Sequence, residues 1–272
     1  MAEIKKRRLG RTNLMVTELG LGAMDTPQSP QGAETLQLAL DMGINFIDTA
    51  RIYKDSEYLI GSVINARGGK NFYIATKTIN RSSDGAQYDV DRSLRLLGVD
   101  NIDLYQLDDV SPGDWDKVMG ENGALAGLKI ARERGLIGYI GISSHNMETL
   151  EKAITCGEFD AVMLEYSAFF RETEQLIVLA KERDVGVIAM RPLGGSGRTS
   201  AIRGRMKSAG QSAALTPAML LNYVLSNPGI SVAIPGARYP DRIKYNVELV
   251  LTYKPFDESQ KRECESEAAL LF

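Results

Sequence analysis

The stretch Gly20–Gln28, GLGAMDTPQ, decides between two folds open to a chain that alternates strand and helix. It begins inside the first apolar, strand-forming run, Glu18–Ala23. An open doubly wound sheet places GxGxxG here, leading straight into a helix. This stretch lacks the third glycine and opens no immediate helix. Working outward, seven more apolar runs follow at Asn45–Ala50, Phe72–Lys77, Ile102–Leu107, Ile137–Ser143, Ala161–Tyr166, Gly186–Met190 and Ser231–Pro235. They are apolar throughout rather than alternating, as expected of strands covered on both faces. Between them lie helix-period segments at Glu34–Met42, Ser56–Arg67, Tyr88–Leu97, Ala124–Arg134, Met147–Thr155, Thr173–Arg183 and Pro217–Ser226. Asp241–Leu251 follows the last strand, and a terminal helix is expected near Asp257–Leu270. Gly43, Gly98, Gly135 and Gly157 sit just past helix ends, where a left-handed residue is wanted.

Eight such units predict an α/β protein, a (β/α)8 TIM barrel. Residues before Glu18 predict an N-terminal β-hairpin. No linker, low-complexity tract or composition shift divides residues 1–272, so one barrel domain is expected. The longest loops, Thr78–Ala86, Asp108–Gly123 and Leu193–Thr216, follow the third, fourth and seventh strands. All three belong to the C-terminal face of a barrel, where active sites sit.

Composition narrows the function. The net charge of −3 argues against a nucleic-acid surface. The basic run Lys5–Arg8 is followed by no long apolar stretch, so it does not read as a secretory signal. No segment approaches the ~20 apolar residues of a membrane helix. Cys156 and Cys264 form no CxxC pair and read as free thiols, which points to a reducing, cytoplasmic setting. One histidine and two distant cysteines predict no metal site.

Three residues at the ends of the second and third strands carry chemistry: Asp48, Tyr53 and Lys77. A phenol titrates near pH ~10 and is a poor acid at neutrality. A lysine ammonium beside it favours the phenolate, and an aspartate holds that ammonium charged and aimed. The other reading of the trio is a buried Asp–Lys ion pair with a surface tyrosine. A second cluster follows the last two strands. Gly194, Gly195 and Gly197 let backbone N–H groups approach an anion, and Arg238 and Arg242 flank a helix start suited to phosphate. The competing readings are a flexible lid and solvated surface arginines.

The motifs RRLGRTNLMVTELGLGAM, FIDTARIYKDSEYLIG, IATK, IDLYQL, GYIGISSHN, IAMRPLGG and IPGARYPDRIKYN together resemble the aldo-keto reductase family, in the family's order and over essentially the whole chain. The resemblance implies a barrel that binds extended NAD(P)H and reduces a carbonyl by hydride transfer. Carried over residue by residue, Tyr53 is the acid, tuned by Lys77 and Asp48. Ser143 holds the nicotinamide carboxamide at the cofactor site, with Ser144 where asparagine is common and Met163 where a glutamine commonly supports the carboxamide. Met190 replaces a stacking aromatic. Leu193 and Gly195 lie along the pyrophosphate, Arg242 reads a 2′-phosphate and Asn246 the adenine. Arg238 and Arg242 favour NADPH over NADH, although Gly236 and Ala237 replace a common lysine and serine.

The departures matter as much. Where the family usually has a catalytic histidine, this chain has Asp108, followed by Asp109. An ionised carboxylate cannot donate a hydrogen bond to a substrate oxygen. A protonated Asp108 donates well to an enolate-like oxygen, which suits reduction of a C=C bond conjugated to a ketone. Asp108 as a base suits redox-neutral lyase, dehydratase or isomerase chemistry, and Asp108 turned to solvent suits a weakened, cofactor-binding protein. Arg51 is a candidate partner for Asp108, Asp109 or an acidic substrate, or else a surface residue. His145 reads as a cap of the next helix or a residue packed near the cofactor. The end at Phe272, short of the family's long C-terminal loop, implies an open site. The partner expected is a small-molecule carbonyl or enone; the oligomeric state is left open.

Overall fold

The computed structural model describes residues 3–195 and 215–270. Most of the loop Leu193–Thr216, including Ser196 and Gly197, lies outside the described residues. A hairpin opens the chain: β1 (Lys6–Arg8) pairs antiparallel with β2 (Met15–Thr17). The barrel strands are β3 (Leu21–Gly22), β4 (Phe46–Asp48), β5 (Tyr73–Thr78), β6 (Ile102–Leu107), β7 (Ile137–Ser143), β8 (Ala161–Glu165), β9 (Gly186–Met190) and β10 (Val232–Ala233). All are parallel to their neighbours, in chain order. The barrel closes where β3 meets β10. Gly20 N donates to Ala233 O at 2.8 Å and Ala233 N to Glu18 O at 2.9 Å, with parallel bridges Leu19–Ala233 and Gly22–Gly236. The expected barrel and hairpin are both present.

Ten helices are described: α1 (Pro30–Asp41), α2 (Ser56–Ala66), α3 (Ser83–Leu97), α4 (Trp115–Met119), α5 (Ala124–Glu133), α6 (Met147–Thr155), α7 (Glu174–Glu182), α8 (Pro217–Leu225), α9 (Pro240–Thr252) and α10 (Glu258–Ala269). Local chemistry sets their ends. Ser29, Ser82, Asn146, Thr216 and Asp257 each accept an orphan N–H at a helix start. Gly43, Gly98, Gly135 and Gly157 do take positive φ just past helix ends. Some boundaries differ from the sequence expectation. The Ser82 cap starts α3 at Ser83, not Tyr88, which shortens the loop after β5. Ser29 and Pro30 likewise start α1 before Glu34. The Asp108–Gly123 loop is not bare: it holds a 3-10 turn at Pro112–Asp114 and α4.

Two apolar layers hold the barrel. The larger lies between the outer strand faces and the helices. The inner one fills the barrel with Phe46, Ala75, Leu104, Ala161, Met163, Ile188, Val232 and Ile234. Leu9 and Val16 of the hairpin plug its N-terminal end. That plug depends on Gly10 and Gly186: a Cβ on Gly10 would meet Gly186 N at 2.1 Å, and one on Gly186 would meet Leu9 Cγ at 2.8 Å. The basic run is absorbed at this same end. Arg7 pairs with Glu18 at 2.7 Å and Arg8 with Asp184 at 2.6 Å. Among the described residues no helix is long and apolar enough to cross a membrane.

Side chains alternate along a strand. The positions that point inward low in the barrel therefore point inward again at its C-terminal mouth. Phe46 leads to Asp48, Ala75 to Lys77, and Leu104 to Gln106 and then Asp108. The fold thus aims two carboxylates, one ammonium and one amide at a common centre.

Candidate active site

Lys77 is 1% exposed, and its Nζ donates to Asp48 Oδ1 at 2.6 Å and to Thr49 O at 2.8 Å. The same Nζ lies 4.9 Å from the centre of the Tyr53 ring, within cation–π reach. Gln106, level with Lys77 in the strand register, donates to Asp48 Oδ2 at 3.2 Å. Both oxygens of Asp48 are thus engaged. Gln106 Oε1 is buried with no partner among the described residues. The sequence reading missed Gln106, although a polar residue at inward parity in IDLYQL was a usable signal.

Burial dominates the electrostatics here. It pushes the Asp48 carboxyl up to about 6, against the pull of Lys77. Burial is the largest influence on the Lys77 ammonium and disfavours it, but Asp48, Tyr53 and Asp108 together outweigh it and the lysine ends above its ordinary value. Tyr53 corrects the sequence expectation. Burial raises its phenol and prevails over Lys77, which lowers it. In the protein alone Tyr53 therefore holds its proton more firmly than free tyrosine, and the field of Lys77 acts on the phenolate left after that proton departs.

Arg51 is not a ligand for Asp108 or Asp109, nor a free surface residue. Its guanidinium pairs with buried Glu57, and its Nε lies 3.5 Å from Asp89 Oδ1. Thr76 donates to Glu57 at 2.7 Å and Thr78 to Asp89 at 2.5 Å, from the outward positions of β5. Arg51 N also donates to Lys77 O at 3.0 Å. The loop that carries Tyr53 is thereby tied to α2, α3 and β5 from behind.

Asp108 is 7% exposed and does not point to bulk solvent. Ser143, one strand over, donates from Oγ to Asp108 Oδ1 at 2.8 Å. Ser143 Oγ in turn accepts from Asp109 N at 2.8 Å. Asp109 has φ of 45°, a left-handed backbone uncommon outside glycine. Arg81 grips this turn, donating to Asp108 O at 2.8 Å and to Asp109 O at 2.9 Å. Asp108 also raises the Asp48 and Tyr53 values by its charge, so it lies in the same electrostatic neighbourhood.

The remaining expected cofactor residues fall in different settings. Ser144 closes a turn, donating to Val110 O at 2.6 Å and accepting from Asn146 N at 3.0 Å. Met163 is 2% exposed within the barrel core. Met190 is half-buried at the top of that core. His145 does not cap α6; Asn146 does, accepting from Thr149 N at 2.9 Å. His145 Nδ1 lies 3.7 Å from Glu165 Oε2, and Arg191 donates to the same oxygen at 3.0 Å. Burial opposes the charge on Glu165, but hydrogen bonding from His145 and the charge of Arg191 hold its carboxyl below the ordinary range.

The residues expected along the rest of the cofactor lie after β9 and around the start of α9. Gly194 and Gly195 bend the chain with φ of 81° and 82°, and Gly194 N donates to Arg191 O at 2.8 Å. Leu193 is half-buried beside them. Helix α9 begins with Pro240 and no side-chain cap, and Arg242 N donates to Tyr239 O at 3.0 Å. Arg242 and Asn246, one turn apart, share a face of α9. Arg238 is 60% exposed and reaches back to Asp25 at 3.3 Å. Ser144 and Met163, where the resemblance implies amide side chains, bring none.

This arrangement meets its relatives at every level of comparison. The chain belongs to the aldo/keto reductase family, whose sequence model matches residues 18–268. It is 30% identical over 205 residues to the oxidoreductase YqkF of Bacillus subtilis, covering 70% of this chain and 65% of that protein. It is 31% identical over 198 residues to a Schizosaccharomyces pombe protein named aldo-keto reductase yakc [NADP(+)], covering 65% and 56%. The match thus spans less than two thirds of either relative. Among solved structures, an aldo-keto reductase of Bacillus halodurans in its holo form superposes with a TM-score of 0.83 at 24% identity, covering 97% of this chain and 96% of that one. A Pseudomonas aeruginosa aldo-keto reductase gives 0.76 at 26% identity, covering 92% and 96%.

Proposed function

We propose that residues 1–272 act as one barrel unit that reduces a carbonyl with NADPH, using Tyr53 as the proton donor. The observation that carries this reading is the fully buried Lys77–Asp48 pair, with Nζ 4.9 Å from the Tyr53 ring. A phenol whose own value is raised stays protonated at neutral pH and is available to give that proton. As it leaves, the Lys77 ammonium offsets the phenolate charge, and Asp48, Thr49 and Gln106 keep lysine and carboxylate aligned. When bound, the reduced nicotinamide supplies hydride. Arg242 and Arg238 favour a 2′-phosphate, hence NADPH over NADH, in line with the NADP(+) in the name of the S. pombe relative.

Ser143 donates to Asp108 Oδ1, so that oxygen acts as an acceptor rather than as a donor to an enolate-like oxygen. With Tyr53, Lys77 and Asp48 assembled, carbonyl reduction is preferred to enone reduction, and both to redox-neutral chemistry at Asp108. The test is NADPH consumption against aldehydes, ketones and conjugated enones, with products identified. Alcohols from carbonyls are expected. Saturated ketones from enones would move the chemistry to the C=C bond. Product formed with no net NADPH loss, or no turnover with any of them, would overturn the reductase reading.

A further inference from the structure

The hydrogen-bonding groups around Asp108 have a one-sided balance. Ser143 has a single proton, and it goes to Asp108 Oδ1; one of its lone pairs takes Asp109 N–H, and one is left. The proton of Ser144 goes to Val110 O. Met163 has no polar hydrogen. Asp108 Oδ2 accepts no hydrogen bond among the described residues, and Asp108 is still 7% exposed. The polar sites left open on these side chains are therefore acceptors: Asp108 Oδ2 and a lone pair of Ser143.

A carboxamide presents two N–H donors on its nitrogen and an acceptor on its oxygen. Only the amino half matches this set. The orientation is also fixed in advance, by the Ser143 bond, the left-handed turn at Asp109 and the grip of Arg81 on both carbonyls. We infer that Asp108 binds the amino group of the nicotinamide carboxamide, with Ser143 as second acceptor. The aspartate in the histidine's place is then a cofactor ligand that replaces the missing amide side chains, rather than a proton donor. This rests on the reductase reading.

The test is a fluorescence-quenching titration of the protein with three nucleotides: NADPH, its acetylpyridine analogue and its thionicotinamide analogue. The acetylpyridine form carries a methyl group where NADPH carries the amino group. The thionicotinamide form keeps the amino group and changes the carbonyl oxygen to sulfur. Losing a hydrogen bond to a charged acceptor predicts at least about tenfold weaker binding of the acetylpyridine analogue. The thionicotinamide analogue binds within about threefold of NADPH. In Asp108→Ala, NADPH weakens by about tenfold while the acetylpyridine analogue binds as it does to the wild type. Equal wild-type affinity for NADPH and the acetylpyridine form overturns the inference without need of any variant. So does an Asp108→Ala protein that keeps the wild-type preference. If none of the three nucleotides binds the wild type, the reductase reading itself fails, and the inference with it.

Discussion

The two halves of the barrel mouth treat their carboxylates in opposite ways. On the β4–β5 side, Asp48 is enclosed by donors: Lys77 on one oxygen and Gln106 on the other. On the β6–β7 side, Asp108 is met by one hydroxyl and keeps an oxygen with no donor among the described residues. The first carboxylate is saturated and serves to position a cation. The second is half-satisfied and suited to meeting a ligand. Two aspartates at the same barrel mouth, one ending β4 and one just past β6, acquire different roles from the donors placed beside them.

The comparison breaks most visibly if the enclosed half loses its cation. Lys77→Met leaves Asp48 buried and unpaired. It should cost about 3–5 kcal/mol in urea unfolding, and the Asp48→Asn/Lys77→Met double variant should recover much of that loss. If Lys77→Met unfolds like the wild type, the pair is not held as described. Behind the same half, Arg51→Met strands the Glu57 carboxylate. Because Arg51 is 16% exposed, the expected cost lies between a surface and a buried pair, about 1–3 kcal/mol. It should also lower turnover by loosening the Tyr53 loop, and unchanged stability with unchanged turnover would detach Arg51 from the site.

A pH series sharpens the contrast further. Asp48 is raised from 3.8 to about 6 by burial. Between those values the folded state binds a proton that the unfolded chain has released. Its contribution to stability therefore falls as pH rises through that window. The difference in unfolding free energy between wild type and Asp48→Asn should move in that direction from pH 4 to pH 6, and a flat difference would deny the raised value. The smallest effect belongs to the open half. Asn146→Ala removes the cap of α6 just beyond Ser143 and Ser144 and should cost about 1 kcal/mol in thermal unfolding.

The barrel was legible because its strands are apolar on both faces and its helices end on glycines that take left-handed backbone. Strand parity made the first half of the site legible too, since Asp48 and Lys77 repeat the inward positions of Phe46 and Ala75. Three things escaped the sequence. The direction of the Tyr53 shift depends on burial outweighing a nearby cation, and burial is a property of the packed mouth. The partners of Arg51, Glu57 and Asp89, come from helices that no short motif places beside it. The Asp108–Ser143 bond joins two strands whose residues were read separately, one as a lost histidine and the other as a carboxamide contact.

The most direct test of this division is a paired measurement at saturating NADPH on Tyr53→Phe and Asp108→Asn, each with its nucleotide affinity determined by fluorescence. The account predicts that Tyr53→Phe binds NADPH like the wild type but loses turnover by roughly 10²–10⁴-fold. Asp108→Asn binds it more weakly yet, once saturated, turns over within about tenfold of the wild type. The reverse pattern, with turnover surviving in Tyr53→Phe and abolished in saturated Asp108→Asn, would contradict it.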